Sequence, residues 1–199
     1  MSINTILIIT FAAVYVLLLI YYRERFENKN QNVEIFRKKY EVDGPIIGLI
    51  GGVHGNEPAG AVAFTDLVTD KWVLPKHLQR GEYIIIPQAN KYGLKMNTRY
   101  QNKFKNRDLN RNFSENGPLD IQSSQILKAF DKCDYIIDIH EGWGWYKITP
   151  PSVGSTIAAT TPLMEEIAEN ATQAINETIN DNKKKFTNLH YEDCNIKNT

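Results

Sequence analysis

The chain has little cysteine and no surplus of either charge. Cys133 and Cys194 are its only cysteines, and they form no C-x-x-C pair, which excludes a disulfide-stapled scaffold and is compatible with a reducing compartment. Lys and Arg number 23 against 23 Asp and Glu, so the net charge is zero. Without a basic surplus, general nucleic-acid binding is excluded, and no nucleic-acid partner is expected. No internal repeat is visible, and no charged residue precedes Arg23. What is present is apolar: 42% hydrophobic and 11% aromatic residues against 23% charged, a balance that excludes a wholly disordered or collagen-like chain.

The apolar residues are unevenly spread. Residues 3–22 read INTILIITFAAVYVLLLIYY, with Asn4, Thr5 and Thr10 the polar exceptions besides the tyrosine hydroxyls. A helix rising ~1.5 Å per residue would carry this run across about 30 Å, the thickness of a hydrocarbon core. Tyr21 and Tyr22 close the run, and Arg23 and Arg25 follow at once. A cleaved signal peptide wants its positive charge before the apolar run, not after it. Residues 1–22 are therefore expected to be an uncleaved transmembrane helix. The protein is then single-pass and membrane-bound, with its bulk on the cytosolic side. The polar stretch 23–32 reads as a linker, and residues 33–199 as one α/β domain.

Within that domain, IIGLIG (46–51), EYIII (82–86) and YIIDI (135–139) read as strands, with a further strand within 32–42. Helical spacing is predicted over 58–69, 119–131 and 162–182. Residues 150–158 read as an irregular loop, and the tail from Asn188 as polar. Continuous apolar strands separated by helices predict a mostly parallel sheet covered on both faces.

Chemistry-bearing residues gather just beyond strands. GGVHGNEPAG (51–60) follows the first apolar run and puts His54 three residues before Glu57 in a glycine-rich turn. An imidazole and a carboxylate on one tight turn can aim at one point, and both ligate zinc. His140 ends the YIIDI run, two residues after Asp138 on the same face, where Asp138 either orients an imidazole or caps the strand. Ligands in open α/β sheets gather beyond the carboxyl ends of strands. Two histidines and a glutamate there make a three-ligand centre with an open position, the pattern of catalytic zinc. Between them lies RDLNRNF (107–113), whose Asn110 and Arg111 offer an amide and a guanidinium side by side, suited to a carboxylate. Trp143, Trp145 and Tyr146 follow His140 closely, as pocket walls or as core packing.

HGNEPAG, DLNRNF and DIHEG, in that order, resemble the zinc carboxypeptidase superfamily, and most closely its succinylglutamate desuccinylase/aspartoacylase branch. The resemblance implies a three-layer α/β/α sandwich around a mixed, mostly parallel sheet. It implies one zinc ion held by His54, Glu57 and His140, with Asn110 and Arg111 on the substrate carboxylate. It also implies an arginine that polarises the scissile carbonyl, for which Arg99 (preferred) and Arg107 are the candidates. Such enzymes carry a glutamate on a late strand that activates water. Here Glu192 is the late candidate, and the C-terminal part of the domain is expected to be missing.

The function expected is zinc-dependent hydrolysis of an amide next to a free carboxylate. The substrate is an N-acyl amino acid or a peptide C-terminus. The alternative is a membrane-tethered, catalytically impaired zinc- or ligand-binding module that lacks the general base.

Overall fold

The computed structural model describes residues 14–19, 32–71, 73–101, 107–114, 116–149 and 152–190. The chain forms two compact units, Met1–His140 and Glu141–Thr199.

In the first unit, β1 (Phe36–Lys39), β2 (Ile46–Gly51), β3 (Glu82–Ile86) and β6 (Tyr135–Ile139) form a sheet in the order β1-β3-β2-β6. β2 runs parallel to both β3 and β6, and β1 is antiparallel to β3. The sheet is thus mostly parallel, as the apolar runs predicted, and mixed, as the family resemblance implies. A small hairpin of β4 (Phe113–Ser114) and β5 (Gly117–Pro118) precedes the last helix of the unit.

Both faces of the central strands β2 and β3 are covered, whereas Ile136 and Ile137 of β6 are exposed, so the expected coverage does not extend to that strand. The two-residue alternation of the strands sorts the core. Leu49, Tyr83 and Ile85 face one way and pack with Phe64 and Leu67 of α1 (Ala59–Val68). Ile50, Ile84 and Ile86 face the other way and pack with Ile126, Ala129 and Phe130 of α3 (Ile121–Phe130). α3 starts at an N-cap: Asp120 accepts from the Ser123 backbone N–H, and the Ser123 side chain accepts from the Asp120 backbone.

α2 (Lys91–Met96), a helix that periodicity does not reveal, is six residues long and contains Gly93. Its N-cap Asn90 accepts from Gly93 N–H at 2.8 Å, and Asn97 ends it in the left-handed conformation. These caps offset a poor intrinsic propensity.

In the second unit, β7 (Thr156–Ala158) and β8 (Thr187–Leu189) pair in parallel, with α4 (Glu165–Glu177) between them in sequence. Two expectations are corrected here. Residues 156–158 are a strand, not irregular loop, and the start of the polar tail also lies in a strand. Both are three residues long, too short for a periodic pattern to stand out. The helix read over 162–182 opens as a 3₁₀ turn at Pro162–Met164 and ends at Glu177.

Among the described residues, no helix is long and apolar enough to cross a membrane. The anchor read at residues 1–22 lies outside the described residues except for 14–19, which are helical and exposed. Most of the linker read at 23–32 and all of 191–199, including Glu192, also lie outside them.

Candidate metal centre

β2 is the strand at which the chain turns back on itself. It leads through α1 to β3 on one side and is paired with β6 on the other. Such a switch point leaves a crevice beyond the carboxyl ends of the two parallel strands. Gly51 pairs with Ile139 in register, so the turn after β2 and the residue after β6 emerge side by side. The first carries His54 and Glu57; the second is His140.

Close approach shapes the turn. A Cβ on Gly55 would stand 1.8 Å from the carbonyl carbon of Gly93, so α2 packs directly on the backbone between the two turn residues. A Cβ on Gly51 would come within 2.4 Å of Gly60 backbone, which lets the start of α1 rest on the end of β2. Glu57 N–H donates to His54 carbonyl oxygen at 3.2 Å and closes the turn.

The side chains converge. His54 Nδ1 lies 2.9 Å from Glu57 Oε1. His140 Nδ1 lies 2.7 Å from Glu57 Oε2 and 3.1 Å from His54 Nδ1. Their ring centroids are 4.7 Å apart. One ligand atom from each of the three residues lies within 4.8 Å of the other two, an arrangement that suits a metal ion. His54 and Glu57 are buried, while the His140 side chain is 31% exposed, so the cluster opens on one side.

The outer ring nitrogens are held too. His54 Nε2 lies 3.1 Å from Asp108 Oδ1, and His140 Nε2 lies 3.0 Å from Asp138 Oδ2. With each Nε2 set against a carboxylate, both Nδ1 atoms face inward, the ring orientation that metal-ligating histidines require. Of the two roles left open for Asp138, the geometry shows it bonded to the imidazole. The pairing of Asp108 with His54 is not legible in the sequence, because the two stand 54 positions apart.

Charge is concentrated here. Burial alone would raise the Glu57 carboxyl, but hydrogen bonds from His140 and His54 outweigh it and hold the group at about 2. Burial would lower His140, yet its bonds to Asp138 and Glu57 lift it to about 9. Asp108 is also held below its ordinary range: burial opposes, and the Arg99 bond and the nearby His54 win. Two imidazoles around an anionic carboxylate form a hard-to-borderline donor set that fits zinc.

Arg99 reaches this cluster. Its Nε donates to Asp108 Oδ2 at 2.8 Å and its Nη1 to Glu57 Oε1 at 3.4 Å. Arg107 is exposed, and its carbonyl oxygen accepts from Gln101 N–H at 2.9 Å. The geometry therefore brings Arg99, not Arg107, to Glu57 and Asp108. Asn110 and Arg111 sit in the 3₁₀ turn Leu109–Arg111, capped by Asp108 Oδ1, which accepts from Asn110 N–H at 2.9 Å. Trp143, Trp145 and Tyr146 belong to the second unit, where Lys184 Nζ lies 5.7 Å from the Trp145 ring centroid.

The succinylglutamate desuccinylase/aspartoacylase catalytic domain matches residues 43–193. No curated protein matches. Among solved structures, the product-bound cell shape determinant protein Csd4 from Helicobacter pylori is similar with a TM-score of 0.62 at 18% identity, over 82% of this chain and 43% of that one. The mDAP-bound form of the same protein, described as a D,L-carboxypeptidase, gives 0.61 at 18% identity, over 80% and 42%. A succinylglutamate desuccinylase/aspartoacylase from Rhodobacter sphaeroides is 28% identical over 55% of this chain and 34% of its own, with a TM-score of 0.44. At 18% identity the Csd4 likeness speaks for the fold alone. The chain spans less than half the length of these proteins.

Proposed function

The chain belongs to the succinylglutamate desuccinylase/aspartoacylase catalytic-domain family, and on that premise we propose that it hydrolyses an amide bond next to a free carboxylate. One observation carries the reading. Donor atoms from the ends of two parallel strands, His54 Nδ1, a Glu57 oxygen and His140 Nδ1, lie within 4.8 Å of one another. Zinc held by these three residues would supply Lewis acidity toward the scissile carbonyl.

The remaining roles fall to the chain's own groups. Asn110 and Arg111 grip the substrate carboxylate, the guanidinium taking both oxygens and the amide adding a directed donor. Arg99, already beside Glu57, turns its guanidinium to the carbonyl oxygen and stabilises the charge that grows there. Arg107, exposed at the base of the same segment, is the lesser candidate. Glu57, Asp108 and Asp138 are each bonded to an imidazole. The general base that the family resemblance implies is a late glutamate, for which Glu192 is the candidate: it would take a proton from the attacking water and pass it to the leaving amine. The substrate class is an N-acyl amino acid or a peptide C-terminus. Residues 3–22 tether the domain to a membrane with the domain on the cytosolic side, a reading supported by the length of the apolar run and the arginines after it.

The test uses the full chain in detergent, loaded with one equivalent of zinc and offered N-acetyl amino acids and short peptides. Release of free amine that His140→Ala abolishes is the expected result. A chain that binds zinc stoichiometrically and leaves every substrate intact overturns the hydrolase. If Glu192→Gln then changes nothing, the second reading takes its place: a tethered zinc- or ligand-binding module without a base. Carbonate extraction tests the tether, since the full chain is expected in the pellet and residues 33–199 in the supernatant.

A further inference from the structure

A second polar cluster lies outside the metal centre. Gln101, Asn112 and Gln122 are all nearly fully buried. Gln101 Nε2 donates to Asp120 Oδ2 at 2.8 Å and to Gln122 Oε1 at 2.7 Å. Asn112 Nδ2 donates to Gln101 Oε1 at 2.7 Å and to Asp120 Oδ2 at 2.5 Å. The other Asp120 oxygen accepts from Ser123 N–H and hydroxyl. Gln122 Nε2 donates to the Ala89 carbonyl oxygen at 3.1 Å, and Ala89 N–H donates to Gly51 at the end of β2. Each side-chain amide in the cluster has a partner, so the network has one low-energy arrangement.

Its members stand next to the groups assigned to substrate. Gln101 is two residues after Arg99, and Asn112 directly follows Arg111. Backbone bonds tie the same segments: Gln101 N–H to Arg107 carbonyl, and Leu119 N–H to Asn112 carbonyl. The bonds of the four side chains run to one another, to Ser123 and to the Ala89 carbonyl.

We propose that Gln101, Asn112, Asp120 and Gln122 form a positioning clamp that locks the Arg99 segment to the Asn110–Arg111 turn. The clamp fixes the spacing between the guanidinium that meets the carbonyl and the pair that holds the carboxylate. α3 supplies the anchor and the carboxyl end of β2 the reference point. Its use in catalysis rests on the hydrolase reading; its mechanical role does not. Near-fixed geometry matters because small misplacements of orienting groups cost rate out of proportion to their size.

The experiment is hydrogen–deuterium exchange on the full chain carrying Gln101→Met or, separately, Gln122→Met. The second variant changes α3 and leaves both loop segments untouched in sequence. In both, amides of Gln101, Arg111 and Asn112 are expected to exchange roughly tenfold faster, because buried partners are left unsatisfied. Amides of Ile84, Ile85 and Ile86 keep their wild-type rates, and zinc affinity by chelator competition is unchanged. Unchanged exchange at the three loop amides overturns the clamp. Equal acceleration throughout the sheet also overturns it, since the cluster would then serve stability alone. On N-acetyl amino acids, kcat is expected to fall as KM rises, because the clamp holds both the Arg99 segment and the Asn110–Arg111 turn. A wild-type chain that cleaves none of them sinks the hydrolase reading, and the exchange result still decides the clamp.

Discussion

His54 Nε2 stands 3.1 Å from Asp108 Oδ1, which turns the other ring nitrogen toward Glu57 and His140. The same carboxylate takes the Arg99 Nε hydrogen at 2.8 Å, so one aspartate orients a candidate metal ligand and an arginine together. Asp108→Asn keeps the shape and removes the charge. Zinc affinity is expected to fall by about 10- to 100-fold, the usual effect of losing such a partner. Competition with a chromophoric chelator measures it, and an affinity equal to wild type would show that Asp108 does not set the His54 ring.

Arg99 and Arg107 separate cleanly by substitution. Arg99→Ala is expected to lose about 10²–10³ in kcat, the typical effect of removing one aligned donor at a developing oxyanion. Arg107→Ala is expected to stay near wild type, because Arg107 is exposed and its carbonyl is the group the fold uses. Zinc stoichiometry, by atomic emission, stays at wild type in both. The reverse order of the two kcat values would move the polarising role to Arg107.

Much of this centre could be read directly from the residues. IIGLIG, EYIII and YIIDI are apolar runs of strand length, and β2, β3 and β6 occupy them, β2 and β3 buried as expected but β6 with Ile136 and Ile137 exposed. Histidine at the end of one run and a glycine-rich His–Glu turn after another place their donors at strand ends, because chain direction in a parallel sheet is shared. The rest depends on contacts between distant positions. The Asp108 partner and the Gln101–Asn112–Asp120–Gln122 cluster exist only once loop and helix meet. Gly55 illustrates the same limit. In sequence it suggests an unusual backbone conformation, whereas among described glycines positive φ occurs at Gly52, Gly81, Gly117 and Gly144, and Gly55 serves close packing. β7 and β8 are too short for a pattern, and α2 depends on its caps rather than its propensity.

Gly55→Ala tests that packing. The added carbon would fall 1.8 Å from Gly93 carbon and 2.2 Å from Leu94 nitrogen, both backbone atoms that cannot swing aside. The turn or α2 must move. A loss of about 1–3 kcal/mol is expected, the common cost of overpacking a filled site. Urea unfolding followed by circular dichroism reads the loss. Zinc affinity should drop with it, because His54 and Glu57 flank the displaced residue. A variant of wild-type stability and affinity would mean that α2 gives way without cost.

Cys133 gives a pH-dependent check on the opposite end of the sheet. It packs against the Ile50–Ile84–Phe130 core cluster, just before β6. Burial pushes its thiol above the ordinary 9.0, with smaller upward contributions from Asp134 and Glu82 opposed by Arg37. A raised value in the folded chain means that the neutral thiol is favoured there. Its contribution to stability is therefore complete below the unfolded value and is lost as pH climbs through the folded one. Because the thiolate is the nucleophile, folded Cys133 is expected to react with iodoacetamide more slowly than a free cysteine peptide at pH 8. Cys194→Ser isolates the signal, and mass spectrometry counts the adduct. The gap should close in urea, where both thiols are solvated, and narrow in the folded chain as pH rises above 9.0. Equal rates at pH 8 in the folded state would mean that the thiol is solvated and that this corner of the core is open to water.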